Sequence, residues 1–329
     1  ANASRWVKIP IIGLSFQTST LAAVVLMIFT ANHLSKPNLR QLKFSHSLLQ
    51  LWLPVFAVVL LIFPSNLSTA ALLFLMVVLL AFVAHYPLKY LLSICGMGLA
   101  AVLLFFVLVK AFPGAFPNRV DTWVKRIENF SSGKSDDGNY QVARAKTAIV
   151  SGKIFGLGAG KSRMKNFLPQ SSSDFIYAII VEEFGLIGGV GLITLYLLLL
   201  FRIVVIAHKA QNLFGKLTVI GLGIPIILQA FINIGVALQV LPVTGQNLPM
   251  ISSGGTSAWM TCIAMGIILS VSARKESSPI GQEISENLNN PIQILSETHW
   301  INSFGRRYRW TYLSSFGDCF RVEEPYSQF

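Results

Sequence analysis

Seven apolar runs divide this chain, at about 16–34, 47–63, 67–85, 90–112, 174–201, 217–241 and 256–273. Each is close to the roughly 17–25 residues that a helix needs to cross a hydrocarbon core. The runs are continuous rather than alternating, which argues against a membrane β-barrel. Only 12% of residues are charged against 53% hydrophobic, whereas a soluble domain carries about 25% charge. The mean hydropathy is +0.61. The expected fold class is therefore an all-α polytopic membrane protein with seven transmembrane helices.

Short loops give the orientation. Residues 35–46 carry Lys36, Arg40 and Lys43, and the link 86–89 carries Lys89. The link 202–216 carries Arg202, Lys209 and Lys216 beside His208, and Arg274 and Lys275 follow the last run. These alternate with Pro64–Asn66 and with 242–255, which hold no Lys or Arg. The positive-inside rule puts the basic set in the cytoplasm. Residues 113–173 then form a large extracytoplasmic loop, long enough to escape the rule. Residue 1 also falls outside and the end of the last helix inside.

The formal net charge is +12. On a membrane protein this fits cytoplasmic basic loops and contact with anionic headgroups or phosphates. No aromatic-basic or zinc-finger pattern points to nucleic acid, which is not an expected partner. Cys95, Cys262 and Cys319 form no CxxC or Cys/His cluster, so neither a disulfide nor a zinc site is expected.

The chain opens at Ala1 with no Met and no signal-peptide pattern, already on the outer side. Upstream helices are expected to precede it. Residues 276–329 are Ser/Asn/Glu-rich, end in a basic aromatic stretch and show no apolar period. A disordered cytoplasmic tail is the expectation. One codon choice for 306–316, shifted by a nucleotide, reads Gly-Gly-Thr-Gly-Gly-His-Ile-Phe-Pro-Ala. This resembles the glycine loop of MurG, the glycosyltransferase that makes lipid II, and leaves an out-of-frame tail open.

Three constellations carry chemistry. Gly156-Leu-Gly158-Ala-Gly160-Lys161-Ser162 looks like a phosphate loop, but a P-loop needs Gly where Phe155 stands. It reads either as a plain basic Gly-rich turn or as a backbone rich in free N–H groups. In the second case, beside Lys161, Arg163 and Lys165, it would hold a phosphate or pyrophosphate. Asp174 follows three serines at the start of an apolar run, which suits a helix start. A carboxylate at a membrane edge is also a functional candidate. On a helix, Asp174 and Glu183 cannot share a face, so no tight carboxylate pair is expected. Glu182 reads as either substrate-facing or structural. Residues 241–256, with Pro242, Gly245, Pro249, Gly254 and Gly255, break the backbone between two helices. They form either an outer turn or a re-entrant loop that shapes a cavity.

Together these residues resemble the SEDS family, the FtsW/RodA proteins of bacterial wall synthesis. Arg5-Trp6 with Phe16-Gln17-Thr18-Ser19 resembles the family's RW…FQPSE. Gly156 to Gly185 resembles G-x-G-P-G-x-S…K…LPEAHTDFIFA…EE-x-G. Asn233 to Thr256 resembles N…LP-x-TG…LP-x-x-S-x-GG-S. The resemblance covers about residues 2–275 and implies a transmembrane domain lacking the first three of ten helices. Departures include Thr18, Thr20 and Ala23 for Pro, Glu and Lys of PSELAK, and Ser65-Asn66 for Pro-Asp. Ala159, Gln170, Ser172 and Ser173 stand where Pro, Glu, His and Thr are usual.

The family implies a lipid II polymerase in the bacterial cytoplasmic (inner) membrane, with Asp174 as general base. Arg5, Lys161 and Lys165 would face the pyrophosphate. Ser162, Gln170, Glu182, Asn233, Thr244, Ser252, Gly254 and Gly255 complete the expected substrate-binding set. No ligand cluster for a metal is visible, and a divalent cation, Mg or Mn, is the one cofactor left open. The expected partners are membrane lipids, lipid II, a class B penicillin-binding protein and other division proteins. The lean is to division over elongation. A lipid II flippase and a non-catalytic scaffold are the alternatives.

Overall fold

The computed structural model describes residues 6–8, 15–36, 44–111, 137–168 and 172–273. Arg5, Gln170, residues 112–136 and the tail from 274 lie outside the described residues. A short antiparallel pair opens the chain, β1 (Trp6–Lys8) with β2 (Ser15–Gln17), Val7 facing Phe16 in register. No strand was expected there. The remaining described elements are helical: α1 (Thr18–Leu34), α2 (Phe44–Ile62), α3 (Leu67–Val83), α4 (Leu88–Ala111), α5 (Asp137–Gly152), α6 (Ile176–Lys209), α7 (Leu213–Ala237) and α8 (Gly255–Ala273).

Four of these, α2, α6, α7 and α8, are long and apolar enough to cross a membrane. Three more apolar helices, Thr18–Leu34, Leu67–Val83 and Leu88–Leu104, are shorter. The seven apolar runs therefore each contain a helix. The bounds differ most at α6. It begins at Ile176, not 174, and continues past 201 to Lys209. The extension is favourable because His208 and Lys209 stand at the negative end of the helix dipole.

The helix α2 is not uniform. Pro54 has no N–H to give to the turn before it. The backbone widens there into a π-helical turn, Leu48–Trp52, with the Leu53 N–H bonded to the Leu48 carbonyl. The wide turn swings Leu51 and Trp52 fully into the core. Trp52 there meets Phe56, Phe74 and Tyr86, with ring centroids 6.1–6.2 Å away. Ser47 and Tyr86 share a buried hydrogen bond of 2.7 Å.

Helix α7 is the central post and contributes to one core with α1, α3 and α8 through Met27, Leu80, Leu222 and Ile268. Between helices in lipid, close packing replaces water exclusion as the attractive force, and small residues set how near helices come. Gly221 is such a residue. A Cβ there would sit 3.0 Å from Leu80 Cδ2 and 3.6 Å from the Met27 carbonyl oxygen. Gly266 on α8 has open space around it. Gly221→Leu is therefore expected to lower the melting temperature in detergent by several degrees, as overpacking costs about 1–3 kcal/mol. Gly266→Ala is expected to leave it unchanged or higher, and equal melting of the two variants would contradict the packing.

Candidate active site around Asp174

Asp174 lies in a turn over residues 172–175, one residue outside the helix cap position. The cap position belongs to Phe175, which is buried and makes no side-chain capping bond. Asp174 is half-buried. Because it precedes the helix, its angle to Glu182 and Glu183 is not set by helical spacing.

The turn is held by its carbonyls. The Ser172 oxygen accepts from the Ser253 N–H at 2.9 Å and the Ser253 hydroxyl at 3.0 Å. The Ser173 oxygen accepts from the Ser252 hydroxyl at 2.7 Å. The Asp174 oxygen accepts from Asn233 Nδ2 at 2.8 Å. Three successive carbonyls are thus each taken by the loop 241–255 or by the end of α7. The loop is pinned in turn. Asn233 Nδ2 also donates to the Gln246 carbonyl at 2.7 Å, and Gln246 Nε2 reaches Thr69 Oγ1 at 3.1 Å. The Tyr196 hydroxyl donates to the Pro249 carbonyl at 2.5 Å, and Ser252 Oγ accepts from the Leu248 N–H at 2.8 Å. Gly254 lets the Asn247 side chain come close, since a Cβ there would lie 2.7 Å from Asn247 Nδ2 and push that amide aside. Gly255 opens α8 with nothing near it.

Gly245 faces the acid itself. Its φ is +69°, and a Cβ built on it would lie 3.6 Å from Asp174 Oδ2. Gly245 therefore packs directly beside the carboxylate. Two buried polar atoms border the region without partners among the described residues, Asn233 Oδ1 and Thr244 Oγ1. An unmet buried group costs about 1–3 kcal/mol.

The basic glycine segment forms a second cluster. Glu182 is fully buried. Its carboxylate accepts from the Ser162 hydroxyl at 2.5 Å, the Arg163 N–H at 3.0 Å and the Met164 N–H at 3.3 Å. Ser151 Oγ adds a longer bond at 3.5 Å. Ser162 Oγ in turn accepts from the Lys165 N–H at 3.1 Å. The amides of Gly156, Leu157, Gly158 and Lys161 bond to backbone carbonyls. These four amides are used internally, so the segment offers fewer N–H groups to a ligand than its glycines suggest. Glu182 and Ser162 serve each other and the segment, which is the structural reading of Glu182. Lys161, Arg163 and Lys165 are exposed, the Lys161 stem lying along Gly158.

Helix α6 breaks at Gly185, with φ 73° and ψ −172°. Its freed groups pair with residues 153–158. Cβ atoms at Gly152, Gly156 and Gly185 would come within 2.0–2.2 Å of carbonyl oxygens across this joint. The glycines thus answer a contact between backbones rather than a phosphate. Among the described residues, no three His, Cys, Asp or Glu gather as a metal site. Residues missed by sequence reasoning are Ser253, Gln246, Thr69 and Tyr196, which hold the loop, and Gly245. Only Gly245 left a signal, as the glycine of the LP-x-TG pattern.

A family model described as cell cycle protein, FtsW/RodA/SpoVE, matches residues 1–277. The chain belongs to that family. Among its relatives, the probable peptidoglycan glycosyltransferase FtsW of Geobacter sp. (strain M18) is 33% identical over 280 residues, 83% of this chain and 72% of the relative. The protein of the same name from Enterococcus hirae is 33% identical over 289 residues, 83% of this chain and 69% of the relative. A solved chain from a peptidoglycan synthase complex, described as coordinating polymerization and crosslinking, superposes with TM-score 0.63 at 26% identity. It covers 83% of this chain and 74% of that one. The Thermus thermophilus rod shape determining protein RodA shares the fold, with TM-score 0.54 at 24% identity over 83% of this chain and 71% of that one.

The Glu182 cluster makes its own prediction. Glu182→Gln replaces an acceptor-only carboxylate with an amide whose NH2 faces N–H donors. Residues 157–168 of this FtsW/RodA chain are expected to exchange amide hydrogen faster at Arg163 and Met164, with a stability loss of about 1–3 kcal/mol. Unchanged exchange at both amides would mean the carboxylate does not hold the segment.

Proposed function

We propose that this chain is a peptidoglycan glycosyltransferase that polymerises lipid II, with Asp174 as its general base. The observation that carries the reading is the carboxylate's setting. Its turn is fixed through three carbonyls, and Gly245 packs beside Oδ2, where a Cβ would be in van der Waals contact with the carboxylate. Family membership and the names of the relatives point the same way.

The chemistry balances with one acid. The acceptor sugar's C4 hydroxyl attacks the anomeric carbon of the donor as Asp174 takes the hydroxyl proton. The new C–O bond forms, the anomeric C–O bond to pyrophosphate breaks, and the lipid pyrophosphate departs with the electron pair. Inversion at the anomeric carbon needs no covalent intermediate on the enzyme. Fixing the turn before the reaction avoids reorganisation in the transition state. Arg5, Lys161 and Lys165 are the proposed partners of the developing pyrophosphate charge. Asn233 Oδ1 and Thr244 Oγ1 would bond sugar hydroxyls, and Gln170 belongs to the same proposed surface. The roles of Ser252, Gly254 and Gly255 are to shape the loop. A Mg or Mn ion, when bound, would screen pyrophosphate oxygens. No three-ligand set gathers among the described residues, so the substrate's own oxygens would be its main ligands, and the proton step at Asp174 does not run through it.

The proposed arrangement in the cell has seven crossings of the bacterial inner membrane, with the 113–173 loop extracytoplasmic. The substrate is lipid II, and the partner is a class B penicillin-binding protein that cross-links the new strand, with other division proteins nearby. Division over elongation is favoured by relatives named FtsW. A flippase would place its charged groups midway across the bilayer, whereas the described acids Asp174, Glu182 and Glu183 gather at one end of α6.

Asp174→Asn in the chain with its natural N-terminal portion is expected to lower polymerisation of purified lipid II by about 100-fold or more. Its melting temperature should match the parent. Glycan strands at parental yield would sink the base assignment, and translocation without strands would favour the flippase. Lys165→Ala is expected to impair lipid II use more at low salt than at high salt, because salt screens exposed charge over about 10 Å at 0.1 M. A defect absent at low salt would remove Lys165 from the phosphate site.

A further inference from the structure

Part of the stretch expected in the aqueous outer loop is bonded to α6 within its long apolar helix. In α6, the apolar residues from Phe184 to Phe201 run without a charge until Arg202. That length of helix is about 26 Å, close to the roughly 30 Å of bilayer hydrocarbon. Its end opposite Arg202 is the break at Gly185. A helix break at that depth frees backbone groups where water is scarce, so protein must satisfy them.

Residues 153–158 do so with four bonds. The Leu186 N–H donates to the Lys153 oxygen at 2.9 Å and the Ile187 N–H to the Ile154 oxygen at 3.3 Å. The Leu157 N–H donates to the Glu182 oxygen and the Gly158 N–H to the Glu183 oxygen, both at 2.9 Å. The segment is thereby fixed at the height of residues 182–187. Its apolar side chains do not turn inward. Val150 is 75% exposed, Ile154 57% and Phe155 81%, level with Phe184 at 50%, Leu186 at 56% and Ile187 at 58%. The exposed apolar surface of α6 therefore continues onto the loop. Lys153 and Arg163 are exposed nearby, and cations flanking such a surface suit headgroup phosphates.

We propose that Val150, Ile154 and Phe155 insert into the bilayer edge, their partner being the acyl-chain layer, with Lys153 and Arg163 at the headgroups. Helix α5 carries this anchor to the site. Its Val142, Ala145 and Ala148 pack with Phe175 and Ala178, on either side of the start of α6. The wedge thus sets the height of the Asp174 turn above the bilayer. The insertion does not depend on what Asp174 does.

The test places single environment-sensitive NBD labels on the full chain in phosphatidylethanolamine/phosphatidylglycerol vesicles. Cys95, Cys262 and Cys319 are first changed to Ser. Labels go on Phe155→Cys, Val150→Cys and, as the aqueous reference, Thr147→Cys, exposed on α5. The expected result is blue-shifted emission at 155 and 150, quenched by acyl-chain nitroxides more than by aqueous iodide, with the reverse at 147. Iodide quenching at 155 equal to that at 147 overturns the proposal. If one labelled variant does not fold, the other decides by the same criterion. The readout is position, so its failure leaves lipid II polymerisation to be judged separately.

Discussion

The rest of the structure depends on one constraint: a helix that breaks inside an apolar environment must find partners for its freed backbone groups. Gly185 breaks α6, and the segment 153–158 supplies those partners. The closeness of this joint leaves no room for side chains at Gly152, Gly156 or Gly185. Once it is made, the carboxylate of Glu182 lies beside residues 162–164 and folds them around itself. The basic residues of that segment are then presented outward on a frame whose amides at Gly156, Leu157, Gly158 and Lys161 are already bonded.

A second set of bonds fixes the acid. The loop 241–255 has little regular structure of its own, yet Thr69, Tyr196 and Asn233 hold it from three different helices. It passes that rigidity on to the turn 172–174. The two clusters are both built on the start of α6, one around the Glu182 carboxylate and one around the carbonyls of residues 172–174. This is the pre-organisation a proton acceptor needs if reaction is not to wait for the protein to rearrange.

Much of this was legible in the residues, and the illegible parts have a physical cause. Long apolar runs announce helices, because no other element pairs its backbone within one segment in lipid. Each of the seven runs contains one. The family motifs brought Asp174, Asn233, Ser252 and Gly254 into one reading, and they are in one place. The Gly156–Ser162 stretch was legible only in part because glycine and lysine spacing does not say which amides face another backbone. The break at Gly185 was hidden for the same reason: a single glycine in an apolar run looks like any packing glycine. Ser253, Thr69 and Tyr196 could not be found, since they act across separations of 53 to 177 positions.

The clamp on the turn has a consequence for how such a chain can drift. Ser253, Ser252 and Asn233 read the carbonyls of residues 172, 173 and 174, not their side chains. Every amino acid offers the same carbonyl. Positions 172 and 173 can therefore trade the family's usual His and Thr for two serines while the acid's scaffold keeps its hydrogen bonds. Variation just before the acid leaves these carbonyl bonds in place, whereas variation at Asn233 or Ser252, 59 or more positions away from it in the chain, removes a donor.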